Sequence, residues 1–289
     1  MNVLRSIKWP YAVIAIVAVA AAAFGLLQPQ MIGATASAFT SAKHKKPGAT
    51  ALIKQNPPPA LFTDTEIAPL GKQVAAQHTK ADKLFAQWKA QHGTTRDDKA
   101  FAAWAARQIP APPSAQTRTA ELHQVQQLAK TRTAARKKAA TWLETYGKKD
   151  IWKLYLHDQR ELISAAQGAA EKAQLKAALK MAKTVSDQVA AKDKQPAPFV
   201  LDPSLRPDKH LKAGAKGPYS YPSRHAARSA AAVTLLSALA PHRTTDYEWM
   251  QDEVVYSRVY MAGHVPSDIL AGTLLGDLIG DYELAVGAR

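Results

Sequence analysis

Apolar residues recur at helical spacing over most of the chain. Leu84, Trp88 and Gln91 share one face of a 3.6-residue repeat, and Phe101, Trp104 and Ala105 share the face of a second, shorter run. Residues 109–113, with Pro110, Pro112 and Pro113, interrupt the pattern. Leu122, Val125, Leu128, Ala135 and Trp142 then keep helical offsets over 120–146, which predicts one long helix ending at Gly147. Two more helices are predicted over 151–163 and 169–191. Few segments gather β-branched and aromatic residues together, so almost no strand is expected.

Residues 194–221 change character. Pro196, Pro198, Pro203, Pro207 and Pro218, with Gly214 and Gly217, predict a long irregular connection, a feature that is uncommon inside compact domains and often functional. Three helices follow, over 223–239, 246–262 and 267–284. Thr245-Asp246-Tyr247-Glu248 fits a capping box at the second of them. Gly272, Gly276 and Gly280 form a small-residue stripe along the last, which predicts close helix packing.

The N-terminus reads differently. Arg5 and Lys8 precede a charge-free apolar run over 9–27, followed by the small-x-small sites Ala34-Thr35-Ala36 and Ala36-Ser37-Ala38. This is the layout of an export signal over 1–38, and the apolar run is also nearly long enough to stay in a bilayer as an anchor. Either way the remainder is expected outside the cytoplasm, periplasmic or extracellular. Residues 39–65, with Lys43-His44-Lys45-Lys46 and Pro57-Pro58-Pro59, are predicted as a flexible spacer, and 66–289 as one helical domain.

Composition narrows the function. Apolar residues make up 47% of the chain, and the formal charge is +15. Lys and Arg are scattered through the predicted helices instead of forming a stripe with aromatics, which argues against nucleic acid. A phosphate-bearing substrate or an anionic membrane suits the charge. The absence of cysteine excludes disulfides and thiolate metal sites. No H-E-x-x-H or other metal spacing occurs, and His44, His78, His92, His123, His157, His210 and His242 are expected to be structural. Gly71-Lys72 lacks the upstream glycine of a phosphate loop.

Two blocks carry chemistry: Tyr221-Pro222-Ser223-Arg224-His225, and the run from Ser257-Arg258 through Gly263-His264 to Ser267-Asp268. Each puts a histidine beside a helix end. Ser223 is a good N-cap, so the free N–H groups after it would face a bound anion. Asp268, in the first turn of the last helix, can reach back to the His264 imidazole and set its tautomer.

These blocks resemble the second and third signatures, P-S-G-H and S-R-x5-H-x3-D, of the type 2 phosphatidic acid phosphatase superfamily. That superfamily includes class A bacterial acid phosphatases and vanadium haloperoxidases. The third signature is complete in Ser257, Arg258, His264 and Asp268. The second is met by Pro222, Ser223 and His225, with Arg224 in place of glycine. The first, K-x6-R-P, is degenerate: Phe199 stands seven residues before Arg206, where a lysine belongs. Lys192, Lys194 and Arg206 are candidate substitutes for the missing cations.

The resemblance implies an all-α helical bundle of the acid phosphatase and vanadium haloperoxidase type. It implies that His264 attacks phosphorus, that Asp268 orients it, and that His225 protonates the leaving oxygen and then activates water. Ser223, Arg258 and the backbone N–H groups after Ser223 would hold the phosphate oxygens, with no cofactor or metal required; Arg224, outside the family pattern, is either a solvated helix-start residue or an extra phosphate contact. The expected function is hydrolysis of phosphate monoesters, nearest to the class A acid phosphatases, on a phosphorylated small molecule or lipid headgroup. Having one apolar segment argues against a multi-span lipid phosphatase, although that segment allows membrane contact. Two rivals remain: a weakened relative that binds anions or partners, and a vanadate-dependent peroxidase, disfavoured because it needs the same cationic shell.

Overall fold

The computed structural model describes residues 47–159, 163–206 and 219–287. The chain divides into units Met1–Lys45 and Lys46–Arg289. The expected export signal or anchor, together with His44, Pro207, His210, Gly214, Gly217 and Pro218, lies outside the described residues. Among the described residues there is no strand, and no helix is long and apolar enough to cross a membrane. The chain is all-α, as expected.

The helices are α1 (Ala49–Gln55), α2 (Asp64–His92), α3 (Asp98–Gln108), α4 (Ala115–Ala129), α5 (Ala134–Tyr146) and α6 (Asp150–Gln159). They continue with α7 (Ala165–Asp193), the single turn α8 (Pro198–Leu201), α9 (Arg224–Leu239), α10 (Thr244–Tyr260) and α11 (Pro266–Gly287). Side-chain caps start many of them. Asp97, Ser114, Thr133 and Ser164 each accept the N–H three residues on.

Three boundaries differ from the sequence expectation. The predicted helix over 120–146 is two, because Thr133 caps a new start by accepting from Arg136 N at 3.2 Å. Arg132 in the break reaches the carbonyls of Tyr260 and Leu205 at 2.7 and 2.8 Å, tying it to α10 and to the 203–205 turn. The expected spacer over 39–65 contains α1: Ile53 and Phe62 are buried, and Trp142 Nε1 donates to Asn56 O at 2.8 Å. Finally, α10 begins at Thr244, so Thr245 lies inside the helix and makes no capping box.

The middle of the bundle is the pair α9–α11, with α2, α7 and α10 packed around it. Ala226, Ala227, Ala230, Ala231 and Ala232 of α9 are wholly buried. A Cβ on Gly272 or Gly276 would strike the carbonyl oxygen of Ser223 or Ala227, and one on Gly280 would strike Thr234. The predicted stripe is therefore a close backbone approach, and it fixes how α9 and α11 meet. Farther along this core, between α2, α10 and α11, His78 Nδ1 lies 2.9 Å from Asp277 Oδ1. Asp252 and Asp281 stand near this pair and are both pushed up to about 7, chiefly by burial and then by neighbouring carboxylates.

Candidate active site

The site forms where the first turns of α9 and α11 meet the end of α10. Ser223 caps α9 by accepting from Ala226 N at 3.4 Å, and its own N–H donates to Asp268 O at 2.8 Å. His225 follows in the first turn, only 5% exposed. Its Nε2 lies 3.2 Å from Glu144 O. A carbonyl can only accept, so Nε2 carries the proton and neutral His225 keeps its lone pair on Nδ1. Burial holds this imidazole well below its ordinary value, and the positive charges of Arg258, His264 and Lys148 lower it further.

α10 delivers Arg258 in its last turn and stops at Met261. Ala262 takes φ +56°, and Gly263 leaves room for the arginine, since a Cβ there would come within 2.7 Å of Arg258 Nη2. Arg258 is 8% exposed. Its Nη1 stands 3.0 Å from Glu144 Oε2, a charge contact without hydrogen-bond alignment. Among the described residues neither Nε nor Nη1 has a hydrogen-bond partner.

His264 differs from the expectation in one respect. Its Nδ1 donates to Ser220 O at 2.9 Å, while Asp268 Oδ2 is 3.7 Å away. The tautomer is thus set first by a backbone carbonyl, leaving the Nε2 lone pair free, and the carboxylate adds its field from slightly farther off. Asp268 is engaged elsewhere. Oδ2 accepts from Val265 N at 3.0 Å, and Oδ1 faces Arg118 Nη1 at 2.8 Å. Burial alone would raise this carboxyl, but His264 and Arg118 outweigh burial and hold it below the usual value.

One cavity of about 300 Å³ collects His225, His264, Arg258, Arg224, Lys148 and Glu144, with Phe199 and Tyr219 on an apolar side. Arg224 lines it while paired to Asp187 at 3.2 Å. Ser223 is fully buried beneath the lining, and its side chain serves the α9 cap. Lys192, Lys194 and Arg206 do not line the cavity. Lys192 and Lys194 are exposed around the end of α7, and Arg206 directly follows the 203–205 turn.

Sequence reasoning missed four residues here: Arg118, Glu121, Glu144 and Lys148. Arg118 and Glu121, on α4, brace the first turn of α11: Arg118 holds Asp268, and the Glu121 carboxylate accepts from Ser267 N at 2.8 Å and Ser267 Oγ at 2.7 Å. Arg118 also donates to Pro196 O and Ser220 Oγ, both at 3.3 Å. Their signal was present, because both fall on the buried face of Val125, where unpaired charges are rare. Lys148, beyond the end of α5, had no comparable signal.

Residues 182–282 match the family model of the PAP2 superfamily. The match contains Ser223, His225, Arg258, His264 and Asp268, whereas Arg118, Glu121, Glu144 and Lys148 precede it. No curated protein matches the chain. This matched segment, with both histidines and the arginine facing one cavity, is of the PAP2 superfamily type, whose members are phosphatases.

Proposed function

We propose that the protein hydrolyses phosphate monoesters outside the cytoplasm through a phosphohistidine on His264. One observation carries the reading: two buried histidines share a cavity with buried Arg258, and each ring has one proton committed to a backbone carbonyl. His264 Nε2 attacks phosphorus as the bond to the leaving oxygen breaks, and His225 gives that oxygen its proton. Neutral His225 then takes a proton from water, whose oxygen displaces His264 and releases orthophosphate. Phosphoryl transfer chiefly demands position and positive charge around three oxygens, which Arg258 and its neighbours supply. Burial, and then the neighbouring cations, keep His225 neutral; a phosphate dianion opposes the field of those cations, so protonation accompanies substrate binding.

The substrate is a phosphorylated small molecule or lipid headgroup, handled in the manner of the class A acid phosphatases, and residues 1–38 direct the chain outward. N-terminal sequencing of protein from the native envelope tests export, with a mature start near Phe39 expected on cleavage. Turnover of a chromogenic phosphate ester by the full chain tests the chemistry. His264→Ala should abolish turnover and any acid-labile phosphoenzyme; a variant that still traps phosphate covalently overturns the assignment. A second reading, anion binding without turnover, draws on Phe199 at the cavity wall and on Arg224 and Arg258 both facing carboxylates. Absence of turnover on a panel of esters would favour it.

A further inference from the structure

Glu144 and Lys148 stand beside the catalytic groups although both precede the matched segment. Glu144 meets two of those groups at once. Its backbone carbonyl holds His225 Nε2 at 3.2 Å, and its carboxylate stands 3.0 Å from Arg258 Nη1. That carboxylate balances charge without satisfying the donors, since Nε and Nη1 of Arg258 find no acceptor among the described residues. A buried guanidinium in this condition favours an oxyanion able to accept from it in line. The carboxylate itself is only half withdrawn from water, its side chain 40% exposed. It can therefore leave at little desolvation cost.

Lys148 lines the same cavity four residues beyond Glu144, in the turn after α5. Its ammonium is pushed down first by burial and then by the positive charges of Arg258, Arg224 and Arg228, with Glu144 opposing. Like charges gathered on one cavity wall repel until they share an anion. Phe199 occupies the position in the sequence where the resemblance calls for a lysine, and it too lines this cavity.

We infer that Glu144 is the resident counter-ion of the phosphate site and Lys148 the cation that replaces the absent signature lysine. An incoming phosphoryl group displaces the Glu144 carboxylate from Arg258, and Lys148 takes one of its oxygens. This rests on the phosphate-site reading above and sharpens its substrate class. A doubly charged monoester displaces a resident carboxylate more readily than a singly charged diester, so the site selects monoesters by charge.

The test is calorimetric titration of orthophosphate into the full chain, wild type against Glu144→Gln and Lys148→Met, with turnover of the chromogenic ester measured in parallel. Glu144→Gln keeps the carbonyl that holds His225 and should bind phosphate about tenfold more tightly. Lys148→Met keeps the aliphatic stem and should bind about tenfold more weakly. The opposite signs matter, because a site that was merely loosened would weaken in both variants. Unchanged or weaker binding by Glu144→Gln, or wild-type binding by Lys148→Met, overturns the inference, as does an absence of phosphate binding by both wild type and Glu144→Gln. Opposite shifts in a protein that hydrolyses no ester would remove the hydrolytic reading and leave the inference standing. Normal turnover, lost in His264→Ala, with wild-type binding in both variants would do the reverse.

Discussion

Replacing Arg118 with methionine should damage stability and catalysis together, and the structure indicates by how much. Arg118 is 7% exposed and Asp268 wholly buried, so the variant leaves a buried carboxylate with Val265 N–H and a more distant imidazole as its remaining polar neighbours. Breaking one side of such a pair costs about 3–5 kcal/mol. For a domain of this size each kcal/mol lowers Tm by about 2–4 °C, so a fall of roughly 6–20 °C is expected. The same variant frees Ser220 Oγ and Pro196 O from the guanidinium. Since Ser220 O orients His264, turnover should drop about 10- to 100-fold, with KM changing less than kcat, the pattern of a group that positions the nucleophile. A double-mutant cycle with Asp268→Asn gives the decisive reading. If the ion pair is the source of the effect, removing both partners destabilises far less than the sum of the single changes. Additive losses, or an Arg118→Met protein with wild-type Tm and kcat, would refute the reasoning.

Arg224→Gly restores the residue the family resemblance expects, yet it removes a cation from the cavity wall, so phosphate affinity should fall and not rise, by an inhibition assay with orthophosphate. Lys192→Ala, Lys194→Ala and Arg206→Ala should leave kcat/KM within about twofold of wild type, since none of the three lines the cavity. Asp252 and Asp281 are raised from 3.8 to about 7, so the folded chain holds their protons where the unfolded chain has lost them, and their contribution to stability falls as pH climbs from 4 towards 7. Asp252→Asn should therefore raise Tm at pH 8, by an effect on the order of 2–4 kcal/mol, and leave it unchanged at pH 4; equal effects at both pH values would contradict this.

Periodicity in the sequence was enough to show that the chain is helical, and end signals at Ser223, Gly263 and Pro266 showed where its last helices begin and stop. It failed at 120–146, where a threonine cap broke a repeat that stays in phase on both sides. It failed at residues 49–62 because Ile53 and Phe62 are isolated anchors among prolines, too sparse to show a period. In the site, His225, His264, Arg258 and Asp268 were legible from short-range spacing. Glu144 and Lys148 were not, because they reach the cavity by tertiary packing from the α5–α6 corner, far away in sequence. Lys192, Lys194 and Arg206 are near Phe199 in sequence but do not share its cavity. Lys148 is near it only in space.

The glycine seam between α9 and α11 has a consequence for how such a site can change over time. Glycine against a carbonyl oxygen behaves like a tooth in a slot, and the next slot lies four residues along, a slide of about 6 Å. No small slip is available, and a whole notch would carry His264 out of reach of the groups that orient it. Gradual mutation therefore has little purchase on the spacing of the two histidines. It can act on α4 and on the α5–α6 corner, whose side chains meet the site from outside the seam and are free to lengthen, shorten or change sign. Divergence in what the cavity accepts should accumulate on those outer helices, while the paired helices beneath them are inherited as a unit.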